Sequence, residues 1–533
     1  MPQGESRPRE EGRLSESSGA QEAVFRFLGD PASHGLSGPV RRIDTANAVL
    51  FLAGGDAYKV KRAVKYPFMD LSTLEKRRQA CEAEIAVNRG NAPGVYLGAL
   101  PVIRDRESLR LGGSGEAVEW VVHMRRFDDN ATLDRFAERE GLDAAVIDRL
   151  AVAIRRAHGA SPRRDAKRAA QSLETYIAQN DAAFAQWPDL FPAAKAARLT
   201  QDSRLAFALA RPVILARGAL GLTRRCHGDL HLRNIALIDG EPVLFDAIEF
   251  SDDIATGDVL YDLAFLLMDL EERGLRAAAS RLFNRYIAPE PIEAIAGLVA
   301  LPFFMSLRAA IRAKVEAAGS DRVSGEKRET ARALARRYFD LASELLRYAP
   351  ARLVAVGGLS GAGKSALAGR LAPKLGRAPG ALWLRSDVER KAMFGVGETV
   401  RLAADAYSAE ATSEVYRRIG DKALAALRAG AAVVMDATFS SGDERAGAAA
   451  IAASAGVAFD GLFLEAPLET RIARVSARKG DPSDADAAIA RSQRAEPLRE
   501  SGWQALDAGR TLDEGVAAAL KLLFPGRNFD CVP

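Results

Sequence analysis

The chain predicts an α+β unit of two lobes followed by an α/β unit built on a mainly parallel sheet. Three observations predict it. Strand-like runs crowd the first 125 residues and helices dominate from 142 to 347, an ordering that suggests two lobes of one α+β unit. Beyond residue 350, short apolar runs alternate with helical stretches, the signature of parallel strands wound with helices. Between the two, Tyr348-Ala-Pro-Ala-Arg352 breaks a charged amphipathic helix over 325–347, and such a composition break marks a domain boundary.

The elements follow in order. Residues 1–20 are Glu, Arg, Ser and Gly with almost nothing to bury, and are expected to be a disordered tail. Residues 48–53 and 57–62 read as strands joined by Gly54-Gly55-Asp56, a hairpin signal. Residues 72–89 read as a helix that Ser72 or Thr73 can cap, with Glu75 in its first turn. Strand-like runs recur at 98–103 and 117–125, and two short apolar runs lie at 235–238 and 242–246. In the second part, strands are expected at 352–356, 381–385, 432–436 and 460–464. The domains are therefore 21–347 and 350–525.

With 533 residues, two or three cores are expected. The apolar fraction of 48% and charged fraction of 27% are those of a globular protein. The net charge is only +4 and the arginines are dispersed, which leaves a nucleic-acid partner open without indicating one. Cys81, Cys226 and Cys531 show neither metal-ligand spacing nor a disulfide framework, which fits a reducing cytoplasm. No secretory signal is visible at the N-terminus. The longest apolar stretch, Ala294–Leu307, is interrupted by Pro302 and reads as a core helix rather than a membrane span.

Gly358-Leu-Ser-Gly-Ala-Gly-Lys-Ser365 lies between an apolar run and a helical one. Strand, glycine-rich turn and helix form the context a phosphate-binding loop requires. Gly358, Gly361 and Gly363 let the backbone curl, so that amides of Ser360, Ala362 and their neighbours point at phosphate oxygens. The helix N-terminus adds favourable partial charge. Lys364 can reach the β- and γ-phosphates of ATP, and Ser365 can ligate Mg²⁺.

A second constellation is His227-Gly-Asp-Leu-His-Leu-Arg-Asn234, followed by Leu244-Phe-Asp246. An Asp, an Asn five residues on and another Asp after a short hairpin are the groups a kinase catalytic loop supplies. Here the chain resembles the aminoglycoside phosphotransferase and choline kinase family. The resemblance spans most of 25–345 and is strongest over 225–265. It implies Asp229 as the catalytic Asp, Asn234 and Asp246 as metal ligands, and His227 as a brace. It also implies a strand Lys at the nucleotide and a helix Glu as its partner, both in the first, strand-rich lobe. Lys59 or Lys61 would share one strand face; Lys59, at the strand's centre, is favoured, with Glu84 as partner and Glu82 close behind. Residues 122–127 would form the adenine hinge. Asp258 and Asp262 are read as structural, and His231 and Cys226 as packing residues.

Residues 350–525 look like the small P-loop kinases that include gluconate kinase and polynucleotide 5′-hydroxyl kinase. Asp387 follows the second strand, where the resemblance implies a carboxylate facing the acceptor hydroxyl. Asp436 ends an apolar strand and is placed to support Mg²⁺. Arg471, Arg474 and Arg478 on one predicted helix would form a lid that presents guanidinium groups to phosphates. Arg445 is a weaker substrate-binding candidate. The expected activity is ATP-dependent phosphoryl transfer to hydroxyl groups of small molecules at two Mg·ATP sites. A nucleic-acid end kinase and a nucleotide-sensing pseudokinase are the alternatives.

Overall fold

Residues Ser18–Gly526, without 67, 68, 107, 479 and 480, are described by the computed structural model of the protein. Most of the expected tail, and Cys531, lie outside the described residues; the first helix, α1 (Ser18–Gly29), begins within that stretch.

The described residues pack into two units. Unit 1 holds the chain up to Leu142 with Arg156–Arg164 and Arg224–Gly257, and unit 2 holds Asp143–Arg155, Asp165–Thr223 and the chain from Asp258 onward.

Unit 1 is organised by six strands: β1 (Arg41–Asp44), β2 (Ala48–Ala53), β3 (Asp56–Lys61), β4 (Tyr96–Asp105), β5 (Ser108–Leu111) and β6 (Glu116–Arg125). They form one antiparallel sheet in the order β1-β2-β3-β6-β4-β5. The turn Gly54-Gly55 closes the β2–β3 hairpin as expected, with Ala53 opposite Asp56. One face buries Val49, Phe51, Tyr58 and Val60 beneath Val24, Phe25 and Leu28 of α1. The other face carries α2 (Leu74–Asn88), which Thr73 caps by accepting from Lys76 N. Cys81 and Ile85 of α2 pack on Tyr96 and Val122. Buried polar groups fix these layers. Gln21 donates to the Lys61 carbonyl at 2.9 Å and to Glu119 at 2.7 Å, and Glu119 also takes Arg77 at 2.9 Å. A hairpin of β7 (Ile235–Ile238) and β8 (Glu241–Leu244) supplies the rest of the site.

In unit 2, a helical layer includes α3 (Val259–Glu272), α4 (Arg276–Ile287), α5 (Leu301–Ser320) and α6 (Gly325–Leu345). Asp258 caps α3 by accepting from Leu260 N and pairs in the interior with Arg217 at 2.7 Å. The apolar segment Ile292–Ser320 is long enough to cross a membrane, but 78% of its apolar window is buried inside the protein. Pro302 sits in the first turn of α5, where a missing N–H breaks no helical bond.

The second sheet has five parallel strands: β9 (Arg352–Gly358), β10 (Leu382–Arg385), β11 (Val433–Asp436), β12 (Ala458–Glu465) and β13 (Trp503–Asp507). Their order is β10-β11-β9-β12-β13. Helices α7 (Lys364–Leu371), α8 (Ser386–Met393), α9 (Ala409–Arg428), α10 (Gly442–Ala455), α11 (Leu468–Ser476) and α12 (Leu512–Leu523) wind around it. Val354, Val356, Val434 and Leu462 of the sheet pack on Leu367 and Leu371 of α7 and on Leu520 of α12. Unit 2 runs through the break at 348–352. Asn284 of α4 donates to the Ala381 carbonyl at 3.1 Å and accepts from Trp383 N at 2.6 Å, so its carboxamide satisfies the outer edge of β10.

Candidate active sites

In unit 1 the charged groups meet at the mouth of the β3–β6 region. Lys59 and Lys61 alternate with inward-facing Tyr58 and Val60, so both point toward α2. Lys59 Nζ lies 2.9 Å from Glu84 Oε1 and 2.7 Å from Asp246 Oδ1. Lys61, almost fully buried, pairs with the other oxygen of Glu84 and with Glu249. Glu82 is instead exposed and binds Arg78 on its own helix at 2.8 Å. Burial alone would lower the Lys59 ammonium; the carboxylates of Asp246 and Glu84 reverse that and hold it well above its usual range. Burial would likewise raise Asp246 and Glu84, and the two lysines bring both below the ordinary carboxyl value.

The loop that carries Asp229 is braced on the β8 side. His227 Nε2 lies 2.9 Å from the Phe245 carbonyl, and Ile248 N donates to the His227 carbonyl at 3.0 Å. Asn234 Nδ2 donates to both the carbonyl and Oδ2 of Asp229, each at 3.0 Å. Asp246 adopts φ +60°, a left-handed conformation unusual outside glycine, and its N–H donates to the Tyr96 hydroxyl at 3.0 Å. Asn88 accepts from Ala247 N at 2.8 Å and holds the next peptide. The side chains that touch these residues were only partly legible in the sequence. His231, read as packing, stands 3.3 Å from Asp229 Oδ2. Tyr96 and Glu249 had no sequence signal, whereas the spacing of Lys59 and Lys61 already placed both on one face. At the expected hinge, His123 stacks on Tyr58 with ring centroids 5.0 Å apart and meets Asp56 at 2.7 Å.

In unit 2, a cavity of about 390 Å³ is lined by Ser360, Gly361, Gly363, Lys364 and Ser365 and by Asp387, Asp436, Arg474 and Arg478. The phosphate loop needs its glycines. Gly361 and Gly363 have φ +85° and +99°, and a Cβ on Gly358 would stand 2.7 Å from the Leu464 carbonyl. Gly358 and Ala362 shape the loop without lining the cavity: Gly358 N donates to the Thr438 carbonyl at 3.0 Å, and the Ala362 carbonyl accepts from Arg474 at 3.3 Å. Gly363 is the N-cap of α7, so that helix's free N–H groups face the cavity.

Register explains the rest. Asp436 pairs with Val356 on one side and Arg385 on the other, which sets it at the carboxyl edge of the sheet beside the phosphate loop. Asp387 is in the first turn of α8, directly after β10. Asp436 Oδ2 is buried with no hydrogen-bond partner among the described residues and lies 3.6 Å from Arg385 Nε. Burial pushes the Asp436 carboxyl up and the Lys364 ammonium down; Asp387 and Asp436 partly restore the lysine.

Two expectations about arginines are corrected. Arg445 is fully buried, pairs with Glu500 at 2.5 Å and donates to the Phe439 and Pro497 carbonyls, so it ties α10 to the chain before β13 and faces no substrate. Arg471, Arg474 and Arg478 do not all sit on one helix. Arg471 is buried and donates to the Ala490 carbonyl, and Arg478 lies beyond the end of α11; only Arg474 and Arg478 line the cavity. Arg385, Arg390 and Gln493 also line it and were not anticipated; Gln493 accepts from Ser360 N at 2.8 Å.

Residues 110–297 match the family described as "Phosphotransferase enzyme family", and residues 353–497 match a family described as "AAA domain". Among solved structures, a choline/ethanolamine kinase family protein from Mesorhizobium loti is 17% identical, with a TM-score of 0.35 over 60% of this chain and 98% of its own. A gluconokinase from Sinorhizobium meliloti is 23% identical, with a TM-score of 0.24 over 33% of this chain and 91% of its own. Uncharacterized proteins of Mycobacterium tuberculosis and Mycobacterium bovis are each 32% identical over 477 residues, 88% of this chain and 91% of theirs. The chain belongs to the family of these mycobacterial proteins, and it is an enzyme of the kinase and phosphotransferase class in which a phosphotransferase-family domain precedes a P-loop kinase-like domain.

Proposed function

We propose that the chain transfers the γ-phosphoryl group of ATP to hydroxyl groups of small molecules at two separate sites, one in each unit. The observation that carries the reading is that each unit independently gathers a phosphate-directed lysine, a pair of oxygen ligands and a further carboxylate. These are Lys59, Asn234 with Asp246, and Asp229 in unit 1, and Lys364, Ser365 with Asp436, and Asp387 in unit 2.

The donor sets fit Mg²⁺. They are hard oxygen ligands, and Asp436 presents a buried oxygen that no protein donor satisfies among the described residues. Bound there, the ion neutralises charge on the nonbridging phosphate oxygens. The remaining work belongs to side chains. Lys59, held by Glu84, and Lys364 draw charge from the phosphates. Asp229 and Asp387 orient the acceptor and take its proton as the hydroxyl oxygen bonds to the γ-phosphorus and the bridge to ADP breaks. Arg474 and Arg478 add charge beside the phosphate loop. The absence of a concentrated basic tract supports a small-molecule acceptor over a nucleic acid, and the cysteine usage supports a cytoplasmic setting.

The test is a γ-phosphoryl transfer screen of metabolites and oligonucleotides on the full chain and on its Lys59→Ala and Lys364→Ala variants. Each variant is expected to lose a different acceptor. Transfer to 5′-hydroxyl oligonucleotides alone, or no transfer with both lysines intact, would contradict the reading.

A further inference from the structure

Helix α4 lies within residues 110–297, the stretch matched to the phosphotransferase family, yet it belongs to unit 2 and packs on the parallel sheet. Three of its residues hold the elements on either side of Asp387. Asn284 satisfies the outer edge of β10, which ends two residues before Asp387. Arg285 holds both oxygens of Glu398 at 2.7 Å, in the segment that follows α8, and Asp148 pins Arg285 from another side at 3.3 Å. Ala288, the C-cap of α4, accepts from Lys422 Nζ at 2.9 Å, and Lys422 also meets Glu389 of α8 at 2.7 Å. Lys422 and Glu389 are both buried. The last carbonyls of a helix lack intrahelical partners and carry negative partial charge, so they suit an ammonium group. That ammonium in turn fixes α8 two residues past Asp387.

The phosphate loop is held differently. Gly358 N donates to the Thr438 carbonyl, Ser360 N donates to Gln493, and Arg474 donates to the Ala362 carbonyl. All three partners lie within 353–497, the P-loop kinase-like part. Arg276 of α4 reaches the Pro373 carbonyl at 2.7 Å, beyond the end of α7 that is opposite the loop. The nucleotide side is therefore built within the P-loop part, and the acceptor side on a helix from outside it. In-line transfer tolerates little displacement of the orienting group: an error of about 1 Å can cost about 100-fold in rate.

We propose that α4 sets the position of Asp387, with Lys422, Asn284 and Arg285 as positioning residues for the unit 2 reaction. Unit 2 then binds nucleotide through its P-loop part and needs a helix of the phosphotransferase-family domain to transfer phosphate. This rests on the reading of unit 2 as a kinase.

The test uses the full chain carrying Lys59→Ala, which silences unit 1, with water as the probe acceptor. The water oxygen bonds to the γ-phosphorus, Asp387 takes the proton and the bridge to ADP breaks. Phosphate release from Mg·ATP that is lost in Lys364→Ala gives kcat for unit 2. The component of AMP-PNP binding lost in Lys364→Ala gives its nucleotide affinity. Lys422→Gln is expected to lower kcat by about 10–100-fold and to leave nucleotide affinity within about twofold of the parent chain. Lys422→Arg, which keeps a charged donor for both partners, is expected to recover most of the loss. Arg285→Gln acts on a half-buried pair and carries the test should Lys422→Gln fold poorly; it is expected to lower kcat by less, again at constant affinity. Parental kcat in folded Lys422→Gln and Arg285→Gln chains, or a nucleotide affinity that falls in step with kcat, overturns the proposal. Absence of Lys364-dependent phosphate release in the parent chain instead overturns the kinase reading on which it rests.

Discussion

Lys59 Nζ stands 2.7 Å from Asp246 Oδ1, although the two residues are 187 positions apart in the chain. The contact joins the central strand of the unit 1 sheet to the segment after the β7–β8 hairpin. Asp246 reaches it through a left-handed backbone that Tyr96 and Asn88 hold from either side. A residue kept in a sparsely populated conformation by surrounding hydrogen bonds is placed for a task.

That placement separates two roles. Asp229→Asn is expected to lower phosphoryl transfer in unit 1 by about 10²–10⁴-fold, the usual loss for a proton-accepting group, with Mg·ATP affinity retained. Asp246→Asn is expected to weaken Mg·ATP binding itself. Transfer kinetics paired with nucleotide titration check both, and wild-type turnover in Asp229→Asn would remove the catalytic assignment.

Glu84 is fully buried between Lys59 and Lys61. Glu84→Gln leaves two buried ammonium groups short of a counter-ion and is expected to destabilise unit 1 by about 3 kcal/mol. The pH dependence has a definite sign. Lys59 and Lys61 hold Glu84 below its usual value against the opposing effect of burial. Its contribution is therefore complete above the unfolded value near about 4.3 and is lost as pH falls through the lower folded value. Urea unfolding from pH 7 to pH 3 should show a shallower acid loss in Glu84→Gln than in wild type.

Arg445 is expected to act through stability alone. Arg445→Met removes the ties to Phe439, Pro497 and Glu500. It should lower the unfolding free energy of unit 2 by about 3 kcal/mol and leave the nucleotide dissociation constant unchanged. A tenfold loss of nucleotide affinity in a folded variant would return Arg445 to the binding site.

Asn284→Ala strips the carboxamide from the edge of β10 and leaves the Ala381 carbonyl and Trp383 N–H unsatisfied. A loss of about 1–3 kcal/mol is expected, read as a fall in the thermal midpoint of unit 2. The proposed division near residues 349–351 makes a related claim. A 350–526 fragment keeps all five strands and their core and should fold, but less stably than in the full chain because Asn284 is missing.

The sequence made legible what repeats locally. Val354, Val434 and Leu462 lie in continuous apolar runs, so β9, β11 and β12 declared themselves, and the Gly54-Gly55 turn located its hairpin. β1, Arg-Arg-Ile-Asp, is largely exposed and offers no apolar alternation; β13 pairs only at one sheet edge. Both depend on partners supplied by the fold. Lys59 and Glu84 were legible through the family resemblance, since their link to Asp246 is invisible to any local pattern. Arg445 misled for the same reason: its partner Glu500 lies 55 positions away. Glu389, Arg390 and Lys391 of α8 are all buried, and no local pattern shows that Glu389 meets Lys422 and Lys391 meets Asp484.

The central claim is that one chain carries two nucleotide sites on unrelated folds. Equilibrium binding of AMP-PNP in Mg²⁺ tests it most directly. The account predicts a stoichiometry near two for the full chain, near one in Lys364→Ala and near one in Asp246→Asn. A stoichiometry of one in the wild-type chain, unchanged by one of these substitutions, would contradict it.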